Sequence, residues 1–139
     1  MTQQIREIMT TDLVTVDPLT SVVDVARLMR REDVGDVLVV DEGRLFGMVT
    51  DRDLVIRVMA EGGNPGERTT ANACSKDLVT VAPGDDVGQV IGLMRERAVR
   101  RVPVVEGDRP VGIVSLGDLA IERDPRSALG DISAARPNE

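Results

Sequence analysis

Two pairs of side chains in this sequence have the types and spacing needed for hydrogen-bond chemistry at a helix start. Thr50 and Asp53 lie in GMVTDRDL, and Ser115 and Asp118 lie in GIVSLGDL, sixty-five positions later. A hydroxyl residue followed three positions later by a carboxylate predicts a capping box. Because a helix start presents free backbone N–H groups that attract anions, these residues could form a helix cap, a nucleotide site or both.

The two motifs belong to a long internal repeat. The segment from Asp12 to Leu54 aligns without a gap with the segment from Asp77 to Leu119, and 20 of the 43 aligned positions are identical. A repeat of this length predicts two copies of one structural unit.

Each copy predicts the same order of elements, β-α-β-β-α. A short β-type run comes first, Leu13 to Val16 in the first copy, and an amphipathic helix follows it. The apolar positions of that helix are Val22, Val25, Ala26 and Met29 in the first copy and Val87, Val90, Ile91 and Met94 in the second. The predicted N-caps are Thr20 or Ser21 in the first copy and Asp85 or Asp86 in the second.

Two further strands and a second helix complete each copy. The predicted strands are Val37–Val40 and Leu45–Val49 in the first copy and Val102–Val105 and Pro110–Val114 in the second. Because Pro103 lacks an N–H group, we expect its strand to have one free side. The second helix begins at the capping box. Glycine and proline between Glu61 and Thr70 predict a linker.

The composition limits what this chain can do. Its 139 residues include no histidine, tryptophan or tyrosine, and the net charge is −7. Without histidine the usual catalytic triads, general bases and zinc sites are missing, so we expect no enzyme activity. The negative charge opposes broad binding to nucleic acid, and no apolar run approaches the roughly 20 residues that span a membrane. The single Cys74 excludes an internal disulfide and no secretion signal is present, which predicts a cytoplasmic protein.

The whole pattern resembles the CBS domain family, and the two copies together resemble a CBS pair, or Bateman module. The resemblance covers about Ile5 to Ile121 and rests on VTV early in each copy, on the strands VLVVD and VPVVE, and on the G-x-x-[ST]-x-x-D signature present twice. It implies an α+β fold of two tandem CBS units packed through their sheets with pseudo-twofold symmetry. We expect the first unit at residues 1–63, a linker at 64–73, the second unit at 74–124 and a tail at 125–139.

The resemblance also implies two clefts that bind adenosine compounds such as AMP, ADP, ATP or S-adenosylmethionine, with no cofactor required. A carboxylate at a strand-to-helix turn can accept hydrogen bonds from both ribose hydroxyls, and Asp53 and Asp118 are the candidates. The nearby hydroxyl of Thr50 or Ser115 could reach a ribose or phosphate oxygen. The remaining cleft residues implied for the Asp118 site are Arg100, Arg101, Ile113, Met9, Val34, Gly35 and Asp36, and those for the Asp53 site are Cys74, Val99 and Arg100.

The two copies depart from each other at these positions. Arg100 and Arg101 can bind phosphate, whereas the first copy has Gly35 and Asp36 there, so the two clefts should not be equivalent. Gly117 stands where many binding members of the family have a hydroxyl residue or arginine. We therefore expect the tighter site at Asp118. The arginines could also be a solvated helix end, and Cys74, aligned with Met9, is expected to be a packing residue.

Three functions remain open at this point. The first is a stand-alone regulatory module that senses an adenine nucleotide and signals in trans to an unidentified protein target. The second is a ligand-free dimeric interaction module. The third is a carboxylate-based metal protein or small enzyme. The helix from Leu54 to Ala60 is apolar on most sides, which predicts a homodimer through this helix, or coverage by the tail, residues 125–139.

Overall fold

The computed structural model describes residues 3–123, and the predicted tail lies outside them. The chain forms two compact units. One unit is Leu13–Leu78, and the other combines the segment up to Asp12 with the chain from Val79 onward. No helix in the described residues is long and apolar enough to cross a bilayer.

The first-repeat unit, Leu13–Leu78, contains a three-stranded sheet in the order β1-β2-β3. The short strand β1 pairs in parallel with β2, and β2 pairs antiparallel with β3. The elements are β1 (Thr15–Val16), α1 (Val22–Glu32), β2 (Asp36–Asp41), β3 (Arg44–Thr50), α2 (Asp51–Asp53) and α3 (Thr70–Ala73). A π-helical segment, Leu54–Met59, continues α2, and a 3-10 turn at Pro65–Glu67 lies in the predicted linker.

The second-repeat unit has the same plan. Its helices and strands are α4 (Val87–Arg97), β4 (Arg101–Glu106), β5 (Arg109–Ser115) and α5 (Leu116–Arg123), preceded by a 3-10 turn at Ile5–Glu7. Strands β4 and β5 form an antiparallel pair whose register repeats that of β2 and β3, including a shift in the middle of each pair. The α+β class is confirmed, and the predicted order of elements is found in both copies except for the first strand of the second copy.

The first helix of each copy begins where the sequence predicted and buries most of the predicted face, with Ile91 half-buried and Ala26 exposed. The Ser21 hydroxyl accepts a hydrogen bond from the Val23 N–H (3.1 Å), and the Asp86 carboxylate accepts one from the Gln89 N–H (3.2 Å). Each cap satisfies a backbone donor that the helix itself cannot pair. Each helix ends at a residue in the left-handed region, Asp33 or Ala98.

Each unit has its own apolar core between the helices and one face of the sheet. The buried core side chains of the first-repeat unit are Val22, Val25, Met29, Val37, Val39, Val49, Val58, Ala73 and Cys74. Those of the second-repeat unit are Ile5, Val81, Val87, Val90, Met94, Val102, Val104, Val114 and Leu119. Since repeat-equivalent positions recur in both sets, the repeat in sequence is also a repeat of the core.

The first strand of each copy is shorter than predicted. In the first copy the Leu38 N–H donates to the Val14 carbonyl (3.1 Å) and extends the pairing of β1. The equivalent of Leu38 is Pro103, which has no N–H to donate. The second copy therefore keeps only an isolated bridge between Val81 and Val104, and the predicted free side of β4 is free only in part.

The segment that precedes each repeat packs with the other repeat. Thr10 pairs with Ile113 on the open edge of β5, and Ser75 pairs with Met48 on the open edge of β3. Each pairing consists of two backbone hydrogen bonds of 2.8–2.9 Å. A strand edge with unpaired N–H and C=O groups needs such a partner. The compact units consequently differ from the predicted boundaries, which placed the first twelve residues with the first repeat.

Close contact at Gly47 generates a stability prediction. A Cβ atom there would lie 2.6 Å from the Ser75 carbonyl oxygen and 3.0 Å from Cys74 Sγ. Because that carbonyl is held by the Met48 N–H, the pairing would have to shift. We expect Gly47→Ala to lower the free energy of unfolding by roughly 1–3 kcal/mol in urea titration.

The control for this prediction is Gly92→Ala in α4, where a Cβ atom would meet no neighbour within 4 Å. Helical alanine is favoured over glycine by about 0.5–1 kcal/mol, so this variant should be more stable than the parent chain. Equal stability of the Gly47→Ala and Gly92→Ala variants would contradict the close-contact interpretation.

Candidate functional site

Both predicted capping boxes are present, and they place equivalent side chains at the end of β3 and of β5. The Thr50 N–H donates to Asp53 Oδ2 (2.9 Å), and the Asp53 N–H donates to Thr50 Oγ1 (3.0 Å). The Ser115 N–H donates to Asp118 Oδ2 and the Asp118 N–H to Ser115 Oγ, both at 3.0 Å. The turn from strand to helix therefore has the same hydrogen bonds in both copies.

The second oxygen of the capping-box carboxylate has different contacts in the two copies. Asp53 Oδ1 lies 3.5 Å from Arg57 Nε, in an ion pair between residues four apart on one helix. No hydrogen-bond or ion-pair partner is recorded for Asp118 Oδ1 within the described residues. Asp118 thus keeps a carboxylate oxygen with which it can accept a hydrogen bond, whereas Asp53 has both oxygens engaged.

The residues that lie opposite the two capping-box hydroxyls differ in charge. In the β4–β5 pair Arg101 lies directly opposite Ser115, and in the β2–β3 pair Asp36 lies directly opposite Thr50. Directly opposed residues in an antiparallel pair have Cβ atoms only about 4.5–5.5 Å apart. The residue opposite the capping-box hydroxyl is therefore basic in the second copy and acidic in the first.

The segment before the first repeat brings two more predicted residues into the second-repeat unit. Ile113 is half-buried and pairs with Thr10 in the sheet edge. The side chain of Met9 lies over the neighbouring Gly112, with its sulfur 2.5 Å from where a Cβ atom would be. Ile113 is thus part of β5, which ends at Ser115, and Met9 lies against that strand. Their contribution to one ligand site stays a prediction.

Arg100 and Val99 lie in a separate groove of the second-repeat unit. The groove has a volume of about 400 Å³, and its lining consists of Ile91, Met94, Arg95, Ala98, Val99, Arg100 and Leu116. Neither Ser115 nor Asp118 belongs to this lining. The Arg100 carbonyl accepts a hydrogen bond from the Leu116 N–H (2.7 Å), which ties the groove to the start of α5.

The equivalent loop of the first repeat is filled by a carboxylate. The Asp51 N–H donates to the Gly35 carbonyl (2.9 Å), and a Cβ atom on Gly35 would lie 3.1 Å from Asp51 Oδ2. A side chain at position 35 would therefore approach the exposed Asp51 carboxylate, which would have to shift by a few tenths of an ångström. Val34, Gly35 and Asp36 belong to the same unit as Asp53, and their contribution to the Asp118 site stays a prediction.

Cys74 is a packing residue of the first-repeat unit. Its side chain is 5% exposed and lies beside Gly47. Desolvation by burial raises the pKa of the Cys74 thiol, and the nearby Lys76 ammonium opposes this rise in part. Within residues 3–123 no group of three or more cysteine or acidic side chains is arranged to hold a metal ion.

Three residues near these sites were not identified as site residues from the sequence: Asp51, Arg57 and Leu116. The spacing of Asp53 and Arg57, four positions apart on a predicted helix, is a recognisable ion-pair signal. The contact of Asp51 with Gly35 has no such signal, because residues sixteen apart in sequence meet only after the sheet has formed.

Comparison with known proteins identifies relatives over most of the chain. The family model for the CBS domain matches residues 5–60 and 71–123. The CBS domain-containing protein YhcV of Bacillus subtilis is 36% identical over 126 residues, which cover 91% of this chain and 89% of YhcV. Hypoxic response protein 1 of Mycobacterium tuberculosis is 34% identical over 116 residues, which cover 83% of this chain and 81% of that protein.

Solved structures show the same architecture. The crystal structure of Hypoxic Response Protein I with two coordinated zinc ions has a TM-score of 0.76 at 34% identity and covers 85% of this chain and 97% of that one. The CBS domain pair of protein MJ0100, in complex with 5′-methylthioadenosine and S-adenosyl-L-methionine, has a TM-score of 0.80 at 21% identity. This second likeness covers 91% of this chain and 100% of that one, and it concerns the fold.

The burial of Cys74 predicts a slowly reacting thiol. Because the thiolate is the reactive form and burial raises the pKa, we expect Ellman's reagent to modify the native chain at least about tenfold more slowly than the denatured chain at pH 8. The pH profile of the native rate should lie at higher pH than that of the denatured chain. Equal rates in the two states would show that Cys74 is accessible and reactive.

Proposed function

This chain belongs to the CBS domain family as a tandem pair, and we propose that it is a non-catalytic regulatory module that binds an adenosine-containing ligand at Asp118 and signals to a partner protein in trans. The ligand classes are AMP, ADP, ATP and S-adenosylmethionine. The observation that carries the proposal is the second carboxylate oxygen of Asp118, which no described residue occupies, next to the Ser115–Arg101 pair.

The chemistry of a ribonucleotide fits these three side chains. Vicinal ribose hydroxyls donate hydrogen bonds to a carboxylate, as they do to the acidic residue of dinucleotide-binding folds. The guanidinium of Arg101 suits a phosphate, which it can bind through two parallel hydrogen bonds. The Ser115 hydroxyl lies between them in sequence and structure. In the first copy the position that aligns with Arg101 is Asp36, whose negative charge repels phosphate. We therefore propose that the tighter site is at Asp118 and not at Asp53 and Thr50.

A second copy of the chain is the proposed cover for the helix that follows Asp53. Val58 is buried at 3% exposure, whereas Val55, Ile56 and Met59 are 55%, 47% and 69% exposed. Apolar side chains grouped on one helix favour association when a complementary surface is available. We propose that the chain forms a homodimer through this helix, from Leu54 to Ala60, since symmetric dimers are the commonest soluble assemblies.

The ligand proposal predicts a stabilised protein and a defined loss in one variant. In a thermal-shift series with AMP, ADP, ATP and S-adenosylmethionine, at least one compound should raise the melting temperature, because a ligand specific for the folded state stabilises it. Asp118→Asn should weaken that binding by roughly 1–3 kcal/mol in calorimetry, since it removes a charged acceptor. Asparagine can still accept the hydrogen bond from the Ser115 N–H, so the helix cap is retained.

Glu96→Gln is the matched control for this experiment, because Glu96 is exposed on α4 and no described contact involves its side chain. It should bind the ligand as the parent chain does. A series in which no compound changes the melting temperature would support the ligand-free interaction module instead. Unchanged affinity in Asp118→Asn would remove Asp118 from the site.

The assembly proposal predicts that a charge on the exposed helix face produces monomers. Light scattering at micromolar concentration should give a dimer mass for the parent chain and a monomer mass for Val55→Glu or Met59→Glu, because burying an unpaired carboxylate is unfavourable. Leu19→Glu is the control, since Leu19 is 79% exposed elsewhere in the same unit. A parent chain that is already monomeric would contradict the dimer, as would a dimer that survives both helix substitutions.

A further inference from the structure

The guanidinium of Arg57 lies beside Asp53, the carboxylate that was predicted to bind a ribose in the first copy. Asp53 is a largely buried carboxylate, with a side chain 15% exposed, and Arg57 Nε lies 3.5 Å from its Oδ1 atom. The other oxygen, Oδ2, is held by the Thr50 N–H in the helix cap. A ribose hydroxyl that approached Asp53 would therefore have to compete with the guanidinium of Arg57 for Oδ1.

Arg57 is held in this position by a second contact. Its Nη1 group donates to the backbone carbonyl of Cys74 (3.3 Å), which belongs to the segment pairing with β3. The Arg57 guanidinium thus contacts both Asp53 and the segment that contains Cys74. Both were predicted to contribute to the Asp53 site. The carbonyl of Arg57 in turn accepts a hydrogen bond from Arg68 Nη2 (3.2 Å), which holds the π-helical segment that carries it.

We propose that Arg57 acts as an internal occupant of the Asp53 site, so that the chain has one ribonucleoside site, at Asp118, rather than two. The proposal rests on the proposed function, in which Asp118 binds the ribose. Arg57 is thereby a specificity-determining residue, because it decides whether the Asp53 carboxylate is available to a ligand.

The second copy lacks the residue type needed for the same contact. The position that aligns with Arg57 is Glu122, so the pattern Asp-x-x-x-Arg of the first copy becomes Asp-x-x-x-Glu in the second. A glutamate cannot form an ion pair with Asp118 or donate a charged hydrogen bond to a carbonyl. The difference between the copies in sequence matches the difference between the two carboxylates in structure.

The test measures binding stoichiometry with 5′-methylthioadenosine, a nucleoside without phosphate. The absence of phosphate matters because removal of an arginine would otherwise also change phosphate attraction. Isothermal titration of the parent chain should give one site per chain. Arg57→Gln should give two, with the affinity of the Asp53 site raised about tenfold or more, since ligand binding no longer has to break a charged contact.

Two further variants identify the new site. Arg57→Gln combined with Asp53→Asn should return to one site, because the ribose acceptor is lost. Arg52→Gln is the matched control, since Arg52 is an exposed arginine on the same helix and its side chain has no described partner. It should bind as the parent chain does. Circular dichroism and melting temperature establish that each variant is folded.

The outcomes separate this inference from the proposed function. One site in both the parent chain and Arg57→Gln would overturn the inference while the proposed function stands. Two sites in the parent chain, or a second site gained equally by Arg52→Gln, would also overturn it. Binding by Arg57→Gln alone would overturn the single site at Asp118 that the inference states and would also contradict the proposed function. No binding of 5′-methylthioadenosine by any variant would overturn the inference, whereas the proposed function is tested separately by the thermal-shift series.

Discussion

The reciprocal hydrogen bonds of the capping box are the interaction on which both the fold and the proposed site depend. Each box pairs a backbone N–H that the helix leaves free with a side chain three residues away, and it fixes the sharp turn from strand to helix. It also fixes one oxygen of Asp53 and one of Asp118 against the backbone. The hydrogen bonds that each carboxylate can form with a ligand therefore depend on the contacts of its other oxygen.

The two copies have the same backbone and different electrostatics. In the first copy Asp36 lies opposite Thr50, and Arg57 forms an ion pair with Asp53. In the second copy Arg101 lies opposite Ser115, and the position that aligns with Arg57 is Glu122. The charged residues near the two capping-box carboxylates therefore differ, although the hydrogen bonds of the turn are the same in both copies.

In each compact unit, a strand of one repeat pairs with the segment that precedes the other repeat. Each unit therefore needs residues from outside its own repeat. The outer edge of β5 is completed by Thr10, and the outer edge of β3 by Ser75. These edge pairings also place Met9 and Cys74 against the glycines at positions 112 and 47. The absence of a side chain at these two glycines is a consequence of that close approach, which no local propensity in either strand requires.

The sequence by itself determined what depends on local spacing. The repeat and the order of elements follow from patterns of residue types along the chain. The N-caps at Ser21 and Asp86 and the two capping boxes involve residues within three positions of each other, where hydrogen-bond geometry follows from the type of residue. The i,i+4 pair of Asp53 and Arg57 belongs to this class too, since its spacing is a local signal.

Only the tertiary structure decided which distant segments meet. Sheet pairing between residues far apart in sequence decides that the segment before each repeat pairs with the other repeat. It also decides the contact of Asp51 with Gly35 and the groove beside Arg100. The pairing beside Pro103 also needed the structure, because the sequence predicted a free side there and the structure shows that Val81 covers part of it. Long-range pairing selects among many edges, and local sequence does not specify which edge is left open.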